Sequence, residues 1–170
     1  MKVLVAGATG AIGRQLVPRL IAAGHEVVGM ARSASKRETL REMGASAVLA
    51  DALVAEQVAD AAARAQPEVI VHELTAIPET LDMRHFDRDF EMTNRLRTEG
   101  TDHLLSAGQA IGVRRFVAQS YTGWPFPRSG ATVKTETDEL DAHPVSSMRR
   151  SFEALVHLER AVTGDGCRLD

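Results

Sequence analysis

The sequence predicts a doubly wound α/β protein: a parallel sheet of about five strands, order 3-2-1-4-5, with helices on both faces. Two observations carry this. Short apolar runs alternate with segments of helical periodicity, the signature of βαβ units. A glycine-rich turn stands directly between the first run and the first helix.

Lys2-Val3-Leu4-Val5-Ala6 is a continuous apolar run, as a central parallel strand covered on both faces requires. A helix is expected from about Ala11 to Ala23, closed by Gly24, with Pro18 inside it as a cost or a kink. The second strand is His25 to Met30. A helix over Ser33–Met43 stops before Gly44, and Ser46–Ala50 is the third strand. The helix Ala52–Ala65 halts before Pro67, and the fourth strand is Glu68–Glu73. A polar stretch from Thr75 to about Leu81 precedes one long helix, about Arg84 to Ala110, with Phe86, Phe90, Leu104 and Leu105 on its apolar face. Arg114–Gln119 is the fifth strand. A long loop, Ser120 to about His143, leads to a last helix over about Val145–Val162.

The totals narrow the function classes. The 170 residues suffice for one domain with a core. A net charge of −3 gives no basis for nucleic-acid or anionic-membrane binding. Cys167 is the single cysteine, so no internal disulfide forms and a reducing, cytoplasmic setting is expected. The apolar N-terminus is broken by Gly7, Gly10 and Gly13, which reads as a buried strand rather than a signal peptide. His25, His72, His85, His103, His143 and His157 show no metal-ligand spacing, so no metal is expected.

Gly7-Ala8-Thr9-Gly10-Ala11-Ile12-Gly13 spells G-x-x-G-x-x-G. The first glycine permits a tight turn, the middle lets backbone approach a pyrophosphate, and the last lets helix pack on sheet. The helix N-terminus then offers N–H groups and a positive dipole end to phosphates. In this context the turn predicts a dinucleotide site formed by Gly7, Thr9, Gly10, Ala11, Ile12 and Gly13.

An acid ending the second strand would bond the ribose 2′-hydroxyl of NAD. Here Arg32 stands at that tip, with Lys36 and Arg37 one turn on. A guanidinium suits a 2′-phosphate through forked hydrogen bonds, so NADP(H) is favoured over NAD(H). Arg37 reads as solvating a helix face. Asp51, beside Ala52 after the third strand, is either an acceptor for the adenine amino group or a helix N-cap.

With these features, the chain resembles the short-chain dehydrogenase/reductase superfamily, and within it the extended or atypical NAD-dependent epimerase/dehydratase family. The resemblance rests on GATGAIG, Arg32-Ser33, Asp51-Ala52, Val69 to Ala76, Asn94 with Gly100-Thr101 and Leu104-Leu105, and Gly112 to Ser120. It implies that Leu74, Thr75 and Ala76 line the adenosine and ribose side. It implies that Asn94 braces the active-site end of the long helix. Ser120 matches the family's active-site Ser or Thr.

The last helix departs from the family. Working members carry Tyr-x-x-x-Lys at its start, for proton transfer and ribose binding. Here it reads Met148-Arg149-Arg150-Ser151-Phe152-Glu153-Ala154-Leu155-Val156-His157, with neither residue. Tyr121, the only tyrosine, is either a displaced acid/base supported by Arg149, Arg150 or Lys134, or His157 moves the proton, or redox chemistry is absent. Trp124 and Phe126 either cover a nicotinamide or substrate or pack the loop.

The expectation is a single NAD(P)-binding domain over 1–170, without the family's later substrate lobe: a truncated frame, a fragment or a minimal domain. The substrate is an unidentified small molecule, and an open sheet edge or the last helix could mediate a homodimer. An NADP(H)-dependent oxidoreductase or epimerase-type protein competes with a non-catalytic, redox-sensing module and with an inactive truncated product.

Overall fold

A computed structural model describes residues 1–121, 125–127, 129–135 and 137–164. The first half alternates strand and helix: β1 Lys2–Ala6, α1 Gly13–Ala22, β2 Glu26–Ala31, α2 Ala34–Glu42, β3 Ser46–Leu49, α3 Ala55–Ala65 and β4 Val69–His72. Then come α4 Phe86–Asp89, α5 Glu91–Arg95, a π-helical turn Leu96–Gly100, α6 Thr101–Ala110, β5 Arg115–Ala118 and α7 Arg149–Thr163. The strands pair in parallel in the order β3-β2-β1-β4-β5, the Rossmann arrangement.

The period-2 geometry of strands divides their apolar residues between two cores. Val3, Val5, Val27, Val69 and Val71 face α1 and α2, meeting Val17 and Leu40. Leu4, Ala6, Val28, Met30 and Ile70 face α3 and α6, meeting Val58, Ala62, Leu104 and Leu105. Full burial of each such Val, Leu or Ile contributes roughly 1.5–3 kcal/mol. Helices therefore change faces between β1 and β4. The resulting crevice opens at the carboxyl ends of those strands, where doubly wound sheets bind ligands. None of the helices among the described residues is long and apolar enough to cross a membrane.

The long helix expected over about Arg84–Ala110 is broken. Asp82 accepts from Arg84 N–H at 2.9 Å and starts a short 3-10 turn, Met83–His85. Phe86 and Phe90 stack with centroids 4.1 Å apart, and Phe90 (φ −95°, ψ 4°) separates α4 from α5. The π-helical turn then inserts before α6. The expected last helix begins later than Val145, because a 3-10 turn, Ser146–Met148, precedes α7. Pro18 lies within α1 without ending it.

Candidate functional site

The turn after β1 is shaped by close backbone approach. Gly7 has φ +93°, and a Cβ there would stand 2.6 Å from the Glu73 carbonyl oxygen at the end of β4. A Cβ on Gly13 would stand 2.3 Å from Gly7 O, so the start of α1 lies flat on the turn. Gly10 N–H donates to Gly7 O at 2.9 Å, and Arg14 Nε donates to Thr9 O at 2.9 Å. α1 opens at Ile12 with no side chain capping it; Arg14 N–H donates to Gly10 O at 3.0 Å and Gln15 and Leu16 N–H both donate to Ile12 O at 2.9 Å, so carbonyls of the turn take most of the first donors.

A cleft of about 240 Å³ runs over these carboxyl ends. Of the residues predicted for a dinucleotide, Gly7, Thr9, Gly10, Ala11, Ile12, Arg32, Ala52, Leu74 and Thr75 line it. Gly13, Asp51 and Ala76 do not. Gly13 supports the turn from behind. Asp51 Oδ1 accepts from Leu53 N–H at 3.0 Å in a turn ahead of α3, whose N-cap position is Val54. Ala76 N–H donates to Thr93 Oγ1 at 2.9 Å, tying the loop after β4 to α5.

Beneath the cleft, His72 is almost fully buried at the end of β4. Leu74 N–H can only donate, so His72 Nδ1 accepts it at 3.1 Å and Nε2 carries the proton. Nε2 lies 3.1 Å from Thr101 Oγ1, which itself donates to Arg97 O at 2.8 Å. The imidazole is neutral. Burial first, with the Arg97 charge adding and a backbone contact to Leu96 opposing, pushes its pKa down to about 4.

Glu73 and Arg97 also line the cleft. Burial raises the Glu73 carboxyl above its ordinary range, and its Oε2 has no hydrogen-bond partner among the described residues. Arg97 is 5% exposed, and its Nη1 is equally without a partner. Burial lowers the Arg97 pKa, and Tyr121 nearby opposes that shift.

The residues predicted for catalysis are dispersed. Tyr121 is 44% exposed and lines the cleft with Gln119. Ser120 does not line it: its Oγ donates to Glu159 on α7. Asn94 is also outside the lining, and its Nδ2 donates to Ser151 Oγ at 3.1 Å. Ser151 in turn donates through N and Oγ to Asp87 at 2.9 and 2.8 Å. His157 pairs with Asp102 at 2.8 Å on the surface. Trp124 lies outside the described residues; Phe126 is half-buried and not part of the cleft wall.

The sequence matches the family described as NAD(P)H-binding over residues 7–160. The chain belongs to that family. It is 41% identical over 162 residues to a 3-diazoavenalumate denitrifying reductase from Streptomyces, covering 95% of this chain and 51% of the relative. It is 37% identical over 128 residues to a UDP-glucose 4-epimerase from Mycolicibacterium smegmatis, covering 72% and 39%. A solved Thermus thermophilus UDP-glucose 4-epimerase, in complex with NAD, superposes with TM-score 0.71 at 25% identity, over 94% of this chain and 51% of that one. The chain thus spans about half the length of the reductase and less of the curated epimerase. These likenesses agree with the epimerase/dehydratase resemblance of the sequence.

As an NAD(P)-binding domain, the chain has a cleft whose geometry fits a dinucleotide. A Cβ on Gly10 would meet nothing closer than Gly7 O at 3.2 Å, so backbone there is open to a phosphate. Ala11 and Ile12 line the cleft beside it, just ahead of the positive end of α1. Sequence reasoning did not single out Glu73 or Arg97. A signal for Arg97 existed. It occupies the buried stripe Thr93, Leu96, Arg97, Gly100, Thr101, Leu104, Leu105, at helical spacing where a solvated charge does not belong.

Proposed function

We propose that this domain binds NADP(H) in preference to NAD(H) and serves an oxidoreductase that transfers a hydride to or from a small molecule. The observation that carries the reading is Arg32, which directly follows β2 and lines the cleft with Lys36 and the glycine turn. The pyrophosphate rests on the glycine turn at the positive end of α1. Arg32 forks onto the 2′-phosphate, with Lys36 as a second charge. Leu74 and Thr75 wall the adenosine and ribose side. When bound, the dinucleotide supplies or receives the hydride. Tyr121 exchanges a proton with the reacting oxygen, Ser120 is oriented by Glu159, and Asn94 holds the start of α7 through Ser151. The reductase name of the Streptomyces relative supports this class of reaction.

A second reading, a non-catalytic module that senses the redox state of its dinucleotide, is favoured by one observation. Among the described residues, α7 has no Tyr-x-x-x-Lys pair and gives no side chain to the cleft.

Titration of NADPH and NADH, followed by nicotinamide fluorescence, separates these claims. NADPH is expected to bind more tightly. Arg32→Ala should weaken NADPH by about 10- to 100-fold, as loss of charged hydrogen bonds implies, and leave NADH unchanged. Gly10→Asp should abolish both. Equal binding of both nucleotides, indifferent to Arg32→Ala, removes the NADP preference; no binding of either removes the cofactor reading. NADPH consumption across a carbonyl substrate panel, lost in Tyr121→Phe, would separate the enzyme from the sensor.

A further inference from the structure

Three cationic side chains line the cleft among the described residues, and only one is buried. Arg32 and Lys36 stand exposed at the β2 end; Arg97 is 5% exposed. A buried guanidinium is normally met by a carboxylate or carbonyls, because it has lost its water. Arg97 Nη1 is not. Glu73 Oε2, in the same wall, is also unmet, so the two groups do not satisfy each other.

Arg97 is nevertheless firmly held. Its carbonyl accepts from Thr101 Oγ1 at 2.8 Å, and Thr101 is 3.1 Å from the His72 imidazole. It lies in the π-helical turn Leu96–Gly100, a distortion that recurs at functional sites. Glu73 follows β4, and Gln119 and Tyr121 follow β5, so the cleft wall shared with Arg97 stands over those strands. Arg32 stands at β2, on the other side of β1 from β4.

We propose that Arg97 is an anion-recognition residue of the cleft. Its guanidinium takes an anionic oxygen group, phosphate or carboxylate, of a molecule bound over the carboxyl ends of β4 and β5. This rests on the dinucleotide reading of the cleft. The group belongs either to the dinucleotide or to the second reactant beside it. Burial raises the Glu73 pKa, a shift in the direction that lessens its repulsion of such an anion.

The test has two arms. In the first, NADPH affinity is measured by calorimetry for the native chain, Arg97→Gln and Arg97→Lys. In the second, benzoate and inorganic phosphate are titrated into the protein with and without NADP⁺. The readout is the NMR resonance of Arg97 Nε–H, assigned by its loss in Arg97→Lys. If the anion belongs to the dinucleotide, Arg97→Gln weakens NADPH about tenfold or more, and Arg97→Lys recovers part. If it belongs to the second reactant, NADPH affinity holds while a probe shifts the Arg97 resonance. The proposal is overturned if NADPH affinity is unchanged in Arg97→Gln and neither probe moves the resonance. Failure of the native chain to bind NADPH sinks the dinucleotide reading instead, and the probe arm on the free protein still decides Arg97. Should Arg97→Gln not fold, Arg97→Lys and the native resonance decide between the same outcomes.

Discussion

His72 Nε2 and Thr101 Oγ1 lie 3.1 Å apart in the core, joining the end of β4 to the first residue of α6. The contact works only with a neutral imidazole, because Leu74 N–H occupies Nδ1. The unfolded chain takes up a proton near pH 6.5, whereas the folded chain resists until about pH 4. Between those values the unfolded state binds more protons, so stability falls as pH falls. The full effect is on the order of 3 kcal/mol. Urea melts from pH 7 to 4.5 should show a steeper loss for the native chain than for His72→Gln. Parallel curves would mean that His72 is not buried in its neutral form.

Gly13 and Gly10 belong to one turn but should fail differently. A Cβ at Gly13 collides with backbone at 2.3 and 2.6 Å, which no side-chain motion relieves. Gly13→Ala is expected to cost about 2 kcal/mol or more, within the range for overpacking, or to prevent folding. A Cβ at Gly10 has one close neighbour, Gly7 O at 3.2 Å, which a shift of a few tenths of an ångström relieves, so Gly10→Ala should lose clearly less stability than Gly13→Ala. It should still weaken NADPH, because the added methyl stands where backbone meets phosphate. Equal stability losses in the two variants would contradict this division.

The same contrast explains what the sequence could convey. β1 and β4 are buried on both faces, so their apolar runs announce them, and the glycine turn between β1 and α1 fixes the crevice. The breaks at Phe90 and Leu96–Gly100 are backbone events beneath an intact apolar spacing: Phe86, Phe90, Leu104 and Leu105 are all buried, as their periodicity requires. Spacing reports which face is buried, not whether one turn is α or π. Arg32 was legible because position alone identifies it. Arg97 was legible only through its helical spacing with Leu96, Leu104 and Leu105, a hint masked by the other charges of Arg95–Glu99, which read as a solvated helix face.

Asp87 on α4 acts as a remote cap for α7. Its carboxylate accepts from Arg150 N–H at 3.0 Å and from Ser151 N–H and Oγ at 2.9 and 2.8 Å. These are donors that the start of α7 cannot satisfy itself, and the negative charge suits the dipole there. Ser151 is fully buried, so removing the acceptor strands its hydroxyl. Asp87→Ala should cost about 1–3 kcal/mol by urea denaturation, and Asp87→Asn, which keeps an acceptor oxygen, clearly less. A Ser151→Ala background should shrink the Asp87→Ala effect, since the pair shares one network.

The position of Ser120 and its hydrogen-bond partner point in different directions. It follows β5 at the carboxyl edge of the sheet, yet its hydroxyl donates to Glu159 on α7 rather than lining the cleft. A hydroxyl held by a carboxylate is oriented by it, and a double-mutant cycle of Ser120→Ala with Glu159→Gln should give a coupling of about 1 kcal/mol, since the pair is only partly buried. NADPH affinity should change less than about twofold, well under 1 kcal/mol, in Ser120→Ala. Tyr121→Phe should leave both stability and NADPH affinity near native and be felt only in turnover. If Ser120→Ala instead weakens NADPH severalfold at unchanged stability, its hydroxyl reaches the dinucleotide, and the Glu159 contact gives way when the cleft fills.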